Sequence, residues 1–384
     1  MEELITEFLK ARKEQGLLRE LKSISSRGQG KIEFSGKSYF DFSSNDYLGL
    51  SDHPFLIEES KKATQKFGVS SSSSRLLSGT LDLHRQLEEN TAKLKHKEAA
   101  IVFNSGYQAN LGIISSLYKQ GDCIFADRLI HASLIDGILL SGAKFFRFQH
   151  NNTSHLKSLL KKERRKFKNC LIVTESIFSM DGDKAPLEEL VSLKKKYNAQ
   201  LFVDEAHATG IFGKNGAGLV EELDLEKEVD LIMGTFSKAL GGFGAYLATS
   251  KKIVDYLVNT CRSFIYSTAL PPGVIAANLA SIKLLKDEPG RRIQLLENAA
   301  YFRKKLQDQG FIIKGESQIV PLIIGENTPA LKCAKSLQGK GYWVLAIRPP
   351  TVPIGQARLR FSLNFYQQRE ILDSLINELK KIKI

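Results

Sequence analysis

Long apolar runs are missing from this chain of 384 residues. None approaches the roughly 20 consecutive apolar residues that a membrane-crossing helix requires. Cysteine is scarce, with four residues (Cys123, Cys170, Cys261 and Cys333) and no CxxC pair, so neither a disulfide framework nor a zinc site is suggested. The opening stretch, MEELITEFLKARKEQ, lacks the apolar core of a signal peptide and reads as polar and helical, so a cytoplasmic location is expected. Acidic residues are in deficit, 42 against 55 lysines and arginines, which leaves a net charge of +13. The basic clusters at Lys161-Lys162, Arg164-Arg165-Lys166, Arg303-Lys304-Lys305 and Lys380-Lys381 continue a helical period among Leu and Glu, as solvated helix faces do. Attraction of a polyanionic partner is the functional alternative. No nucleic-acid motif accompanies the charge, and aromatics are not interleaved with it.

What the chain does contain is enough apolar sequence, 42%, to bury a large core, at a length that favours more than one domain. Residues 2 to 22 carry Leu4, Ile5, Phe8, Leu9, Leu17, Leu18 and Leu21 at helical spacing and predict an amphipathic helix that needs a surface to lie on. A hairpin is expected over Lys31 to Phe42, and Asp52-His53-Pro54 opens another helix. The five serines Ser70 to Ser74 read as a compact small-residue loop near a site rather than a tether. From residue 97 strands and helices alternate. The strands are expected at Ala99 to Phe103, Cys123 to Ala126, Lys144 to Phe148, Cys170 to Thr174, Gln200 to Val203, Asp230 to Met233 and Ala245 to Ala248. Seven such strands predict an α/β fold with a mostly parallel seven-stranded sheet covered on both faces.

After Pro271-Pro272 long helices lead into shorter strands, expected at Phe311 to Lys314, Ile319 to Ile324, Val344 to Ile347 and Ala357 to Ser362. The expected division is an N-terminal helix and hairpin segment over residues 1–45, a large cofactor domain over 46–275 and a smaller α+β C-terminal domain over 276–384.

The chemistry concentrates between Val203 and Gly244. Asp204, His207, Thr235 and Lys238 stand at the ends of two buried-strand runs, where the carboxyl ends of strands in an open α/β sheet face the ligand crevice. A carboxylate and a lysine in one apolar crevice suit a cofactor that has both a basic ring nitrogen and an aldehyde. Pyridoxal phosphate (PLP) has both, with lysine bonding the aldehyde and the carboxylate keeping the ring protonated.

Taken together, FSSNDYLGLS, SRLLSGTLDLH, NSGYQANLG, HASLIDG, TESIFSMDGD, VDEAHATGIFG, GTFSKALGG, YSTALPP and IRPPTVPIGQARLRFSL resemble the α-oxoamine synthases, a PLP family with the aspartate-aminotransferase type of fold. The motifs run in family order from about residue 19 to residue 362. The resemblance implies that Lys238 bonds the cofactor and takes and returns the Cα proton, and that Asp204 partners the ring nitrogen. It further implies that His207 bonds the ring hydroxyl and His131 stacks on the ring. Ser179 would be another cofactor contact, with Ser176 competing. Ser105, Gly106, Tyr107 and Thr235 would bind the phosphate. Thr268 would reach the phosphate in the neighbouring subunit of a homodimer.

On the substrate side Arg360 matches the guanidinium that pairs with the amino-acid carboxylate, with Arg348 and Arg358 as alternatives. Arg19, Asn45, His131 and Thr351 match further substrate contacts. The spellings are most similar to the branch that joins L-alanine to a pimeloyl thioester, on coenzyme A or acyl carrier protein, to give 8-amino-7-oxononanoate for biotin. Alternatives are a member such as glycine C-acetyltransferase and a catalytically silent partner subunit. The serine run departs from relatives that carry glycines there.

Overall fold

A computed structural model describes residues 1–382. The chain divides into two compact units, one of residues 50–178 and 184–292, the other of residues 1–49, 179–183 and 293–384. Among the described residues no helix is long and apolar enough to cross a membrane.

The larger unit is built on seven strands: β1 (Ala99–Phe103), β2 (Cys123–Asp127), β3 (Lys144–Phe148), β4 (Cys170–Glu175), β5 (Gln200–Asp204), β6 (Leu231–Thr235) and β7 (Ala245–Thr249). Their order across the sheet is β1-β7-β6-β5-β4-β2-β3. Only β7 runs against its neighbours, pairing antiparallel with both β1 and β6. Runs such as CLIVTE and LIMGT are buried along their whole length, which is why these strands read as continuous apolar segments instead of alternating ones. Because β1, β4, β5 and β6 are mutually parallel, their carboxyl ends share one edge. Phe103, Glu175, Asp204 and Thr235 therefore stand along a single line.

The serine loop is tied down within this unit. Ser74 bridges to Thr268, the Ala269 amide donates to the Ser73 carbonyl at 2.9 Å, and the Ser71 hydroxyl donates to the Leu270 carbonyl at 2.7 Å. Helix Pro54–Phe67 starts where the sequence placed it, with the His53 side chain accepting from the Phe55 amide.

The smaller unit holds the hairpin Lys31–Phe34 with Lys37–Asp41, and a three-stranded antiparallel sheet of Ile319–Gly325, Ala357–Ser362 and Ala346–Ile347. Helix Arg369–Lys381 buries Leu372, Leu375, Ile376 and Leu379, each contributing roughly 1.5–3 kcal/mol.

Three expectations are corrected here. The first helix ends at Glu14, not near residue 22. Gly16 takes a left-handed backbone (φ 64°), its amide donates to the Lys13 carbonyl and that of Leu17 to Arg12, closing the helix so that Leu17, Leu18 and Leu21 fall outside it. The strand expected over Val344 to Ile347 divides into Tyr342–Trp343, which pairs with Phe40 and Asp41, and Ala346–Ile347, which pairs with Arg358 and Leu359. Each half follows a different sheet. Residues 311–314 make only an isolated bridge, Ile313 to Leu322.

Candidate active site

In the larger unit, strand β5 delivers Asp204 almost fully buried, at 5% exposure. Its Oδ1 accepts from the Ala206 amide at 2.9 Å and its Oδ2 from Asn110 Nδ2 at 3.0 Å. The turn after β5 carries His207, also buried, and Lys238 follows β6; Lys238 Nζ lies 2.9 Å from His207 Nε2. His131 caps helix Ala132–Ser141, its Nδ1 facing the Ser133 hydroxyl at 2.7 Å and the Ser133 amide at 3.2 Å.

The His131 pKa is held below the ordinary imidazole value. Desolvation of the ring is the main cause and the Lys238 charge adds to it, against the opposing pull of Asp204 and Asp136. The lysine and the carboxylate share one neighbourhood, because His207, three residues after Asp204, lies 2.9 Å from Lys238.

Ser105 caps helix Gly106–Leu117, its hydroxyl accepting from the Gln108 amide, and the other first-turn amides have no acceptor within the helix. A Cβ on Gly106 would lie 3.1 Å from Met233 Cε and 3.3 Å from Thr235 Cγ2. The absent side chain lets this positive helix end approach Thr235. Tyr107 meets the His131 ring edge-on at a centroid distance of 6.5 Å. Thr268 is exposed beside the serine loop, its carbonyl accepting from Asn104 Nδ2. Ser176 is fully buried and directed at the backbone, its amide donating to the Asp204 carbonyl at 2.9 Å.

The smaller unit presents a second constellation. Arg360, 7% exposed, donates from Nε to the Ser179 carbonyl at 2.5 Å, from Nη2 to the Tyr47 hydroxyl at 3.2 Å and from Nη1 to Asn45 Oδ1 at 3.3 Å. Arg358 is buried against Asp181 at 2.9 Å. Arg19 lies beyond the first helix and donates to the Thr351 hydroxyl at 3.0 Å. Arg348 donates to the Gly16 carbonyl, and burial together with the neighbouring Arg19 charge lowers its pKa. Among the described residues no group of three or more His, Cys, Asp or Glu is placed to hold a metal ion.

Sequence reasoning missed the groups behind these side chains. Lys95 is 1% exposed and lies 2.8 Å from Glu205, the residue after Asp204, and 3.0 Å from the Thr209 hydroxyl. Glu205 Oε1 accepts from the Val220 amide, which pins the turn that carries His207. Asn110 and Ser133 connect Asp204 to His131. Glu205, Asn110 and Ser133 lie inside the quoted motifs without a role of their own there, and no sequence signal marks Lys95.

The pattern of aminotransferase class I and II matches residues 37–375. The chain belongs to this aminotransferase family. Within it, the chain is 46% identical over 373 residues to 8-amino-7-oxononanoate synthase of Geobacter sulfurreducens, covering 96% of this chain and 95% of the relative. A serine palmitoyltransferase from Sphingomonas wittichii superposes with TM-score 0.92 at 32% identity, covering 99% of this chain and 96% of that one. An 8-amino-7-oxononanoate synthase from Francisella tularensis superposes with TM-score 0.79 at 32% identity, covering 89% and 97%.

The residues of this aminotransferase-family chain fit PLP. Asp204 is a buried carboxylate with both oxygens already oriented, Lys238 is half-buried beside a histidine, and a glycine opens a helix end toward Thr235. A ring nitrogen, an aldehyde and a phosphate would each find a suitable group in this unit.

Proposed function

We propose that this chain is an 8-amino-7-oxononanoate synthase that condenses L-alanine with a pimeloyl thioester, on coenzyme A or an acyl carrier protein, releasing carbon dioxide and the free thiol of the donor. PLP, when bound, supplies the electron sink that lets the amino-acid Cα give up a proton. The observation that carries the reading is that Asp204 ends one central strand, His207 sits in the turn that follows it, and Lys238 Nζ lies 2.9 Å from His207 Nε2 at the carboxyl edge of the sheet. The 46% identity over nearly the whole of a relative with that name supports the choice of branch.

Asp204 would hold the ring nitrogen, Lys238 the aldehyde, His207 the ring hydroxyl, and Ser105, Gly106, Tyr107 and Thr235 the phosphate. Ser179 adds a cofactor contact in this assignment. Arg360 pairs with the alanine carboxylate through a planar two-point fork. Lys238 would also be the group that takes a proton from the amino-acid Cα and returns it. His131 would stack on the ring and meet the substrate, and Arg19, Asn45 and Thr351 would be further substrate contacts.

The homodimer assignment is supported by the first helix, Glu2–Glu14, none of whose residues is buried in the chain. Leu4, Ile5, Phe8 and Leu9 line one exposed face of it. A second subunit would cover such a face, and Thr268 would then reach the partner's cofactor phosphate. The protein is expected to act in the cytoplasm.

Purified protein assayed with alanine, glycine and serine against thioesters of graded chain length tests the reading. The expected result is 8-amino-7-oxononanoate from alanine and the pimeloyl donor, at a rate well above other pairs. Preference for glycine or serine would move the chain to another branch, and a colourless, inactive protein would make it a silent subunit.

A further inference from the structure

We propose that Asn110 is a positioning residue of this site, a carboxamide that holds Asp204 in one orientation and, through Ser133, sets which nitrogen of His131 carries the proton. The inference rests on the reading of Asp204 as the partner of a ring nitrogen.

Asn110 lies in the interior of helix Gly106–Leu117 and is 1% exposed. Its Nδ2 donates both to Asp204 Oδ2 and to the Ser133 hydroxyl, each at 3.0 Å. An ionised carboxylate only accepts, so the amide has one workable orientation, nitrogen toward Asp204. With the Ala206 amide on Oδ1, each carboxylate oxygen then has a donor, and the plane of the carboxylate is fixed.

The Ser133 hydroxyl, accepting from Asn110, has its own proton free to give to His131 Nδ1 at 2.7 Å, and the Ser133 amide points at the same nitrogen. Two donors on Nδ1 leave it without a hydrogen. The neutral ring must therefore carry its proton on Nε2. Donation runs outward from Asn110, to Asp204 on one side and through Ser133 to His131 on the other, and reversing the amide would set oxygen against carboxylate.

The remaining atom of the amide adds a second argument. Asn110 Oδ1 is buried without a hydrogen-bond partner among the described residues. Leaving such an acceptor unsatisfied is destabilising, so an apolar residue would serve packing better. What Asn110 provides is at its nitrogen.

The charged and titratable groups around Asp204 come from several elements. His131 feels Asp204, Lys238 and Asp136. Glu175 stands in register with Asp204 on β4, and the neighbouring Glu205 carboxylate is already engaged by Lys95. His207 is bonded to Lys238.

The test is PLP binding to apo-protein, followed by the visible absorbance of the bound cofactor, in the wild type, Asn110→Ala, Asn110→Asp and Ser133→Ala. Without the amide donor the Asp204 carboxylate is no longer held in one orientation, so in Asn110→Ala PLP affinity should fall by roughly tenfold and the visible band of the bound cofactor should shift. Asn110→Asp, nearly isosteric, sets a second carboxyl against Asp204 and should weaken PLP binding further. Ser133→Ala should leave the affinity within a few-fold of wild type and change the nitrogen-15 signature of His131 instead. If both Asn110 variants bind PLP as tightly as the wild type and with the same band while only the melting temperature falls, Asn110 is a packing residue and the proposal fails. If wild-type protein shows no PLP band at all, the underlying reading of the site fails first.

Discussion

Arg358 and Arg360 stand two residues apart on one strand, leave the same face of it, and are both nearly shut off from solvent, at 1% and 7% exposure. Arg358 is neutralised by Asp181 at 2.9 Å and also bonds the Met180 carbonyl. Arg360 is held by oxygens without net charge, those of Ser179, Asn45, Tyr47 and Ser362. Among the described residues no carboxylate lies within ion-pair distance of it. A buried charge is costly unless paired. The contrast teaches that one arginine ties the segment 179–183 into its unit by an ion pair, while the charge of the other meets no carboxylate among the described residues, as the role proposed for Arg360 in pairing with a substrate carboxylate would require. Lys95 in the larger unit follows the first pattern, paired with Glu205 in full burial.

The most severe break of this contrast is Arg360→Leu. It should lower kcat/KM for alanine by about 10³-fold with the fold retained, since truncating one partner of a buried charge pair costs roughly 2–5 kcal/mol. Arg360→Lys should recover little of that, because a point charge does not reproduce the fork. Steady-state kinetics across alanine concentration decides it, and an unchanged KM with modest loss would remove Arg360 from the substrate.

Lys95→Met should lower unfolding free energy by roughly 3–5 kcal/mol, since Glu205 is left buried and unpaired. Denaturant titration reads this directly, and Lys95→Met combined with Glu205→Gln should restore part of it. Arg358→Leu should destabilise by about 3 kcal/mol, Lys314 still reaching Asp181 at 3.3 Å, and should leave the alanine KM within a few-fold of wild type. A KM rise as large as that of the Arg360 variant would erase the distinction.

The smallest effect concerns a third way of burying a base, which is to leave it uncharged. Desolvation, aided by the Arg75 charge, lowers the His84 pKa from 6.5 to about 4. Because the folded value is depressed, its contribution is complete above about pH 6.5 and is lost as pH falls toward 4, up to about 3 kcal/mol in all. His84→Gln should flatten that part of the stability profile, and parallel profiles for the two proteins would show that His84 is not what titrates.

The seven central strands were legible because a strand buried on both faces must be apolar throughout, and CLIVTE or LIMGT permits little else. Asp204, His207 and Lys238 were legible because polar residues ending such runs can only stand at the sheet edge. The stop at Gly16 was marked by a glycine, but leucines continuing the helical period beyond it outweighed that mark. Lys95 was not legible, since nothing in KLKHKE says which of its lysines is buried. Asn110 looks like any polar residue inside a helix until Asp204 is seen opposite it.

By itself, then, the sequence determined the succession of strands and helices and the identity of the groups at the sheet edge, because periodicity and local backbone chemistry are properties of neighbours along the chain. Which buried arginine keeps its charge unneutralised, and which amide orients Asp204, depend on residues up to 315 positions apart, as Arg360 is from Asn45. Pairings of that kind exist only once the chain has folded, so only the tertiary structure could decide them.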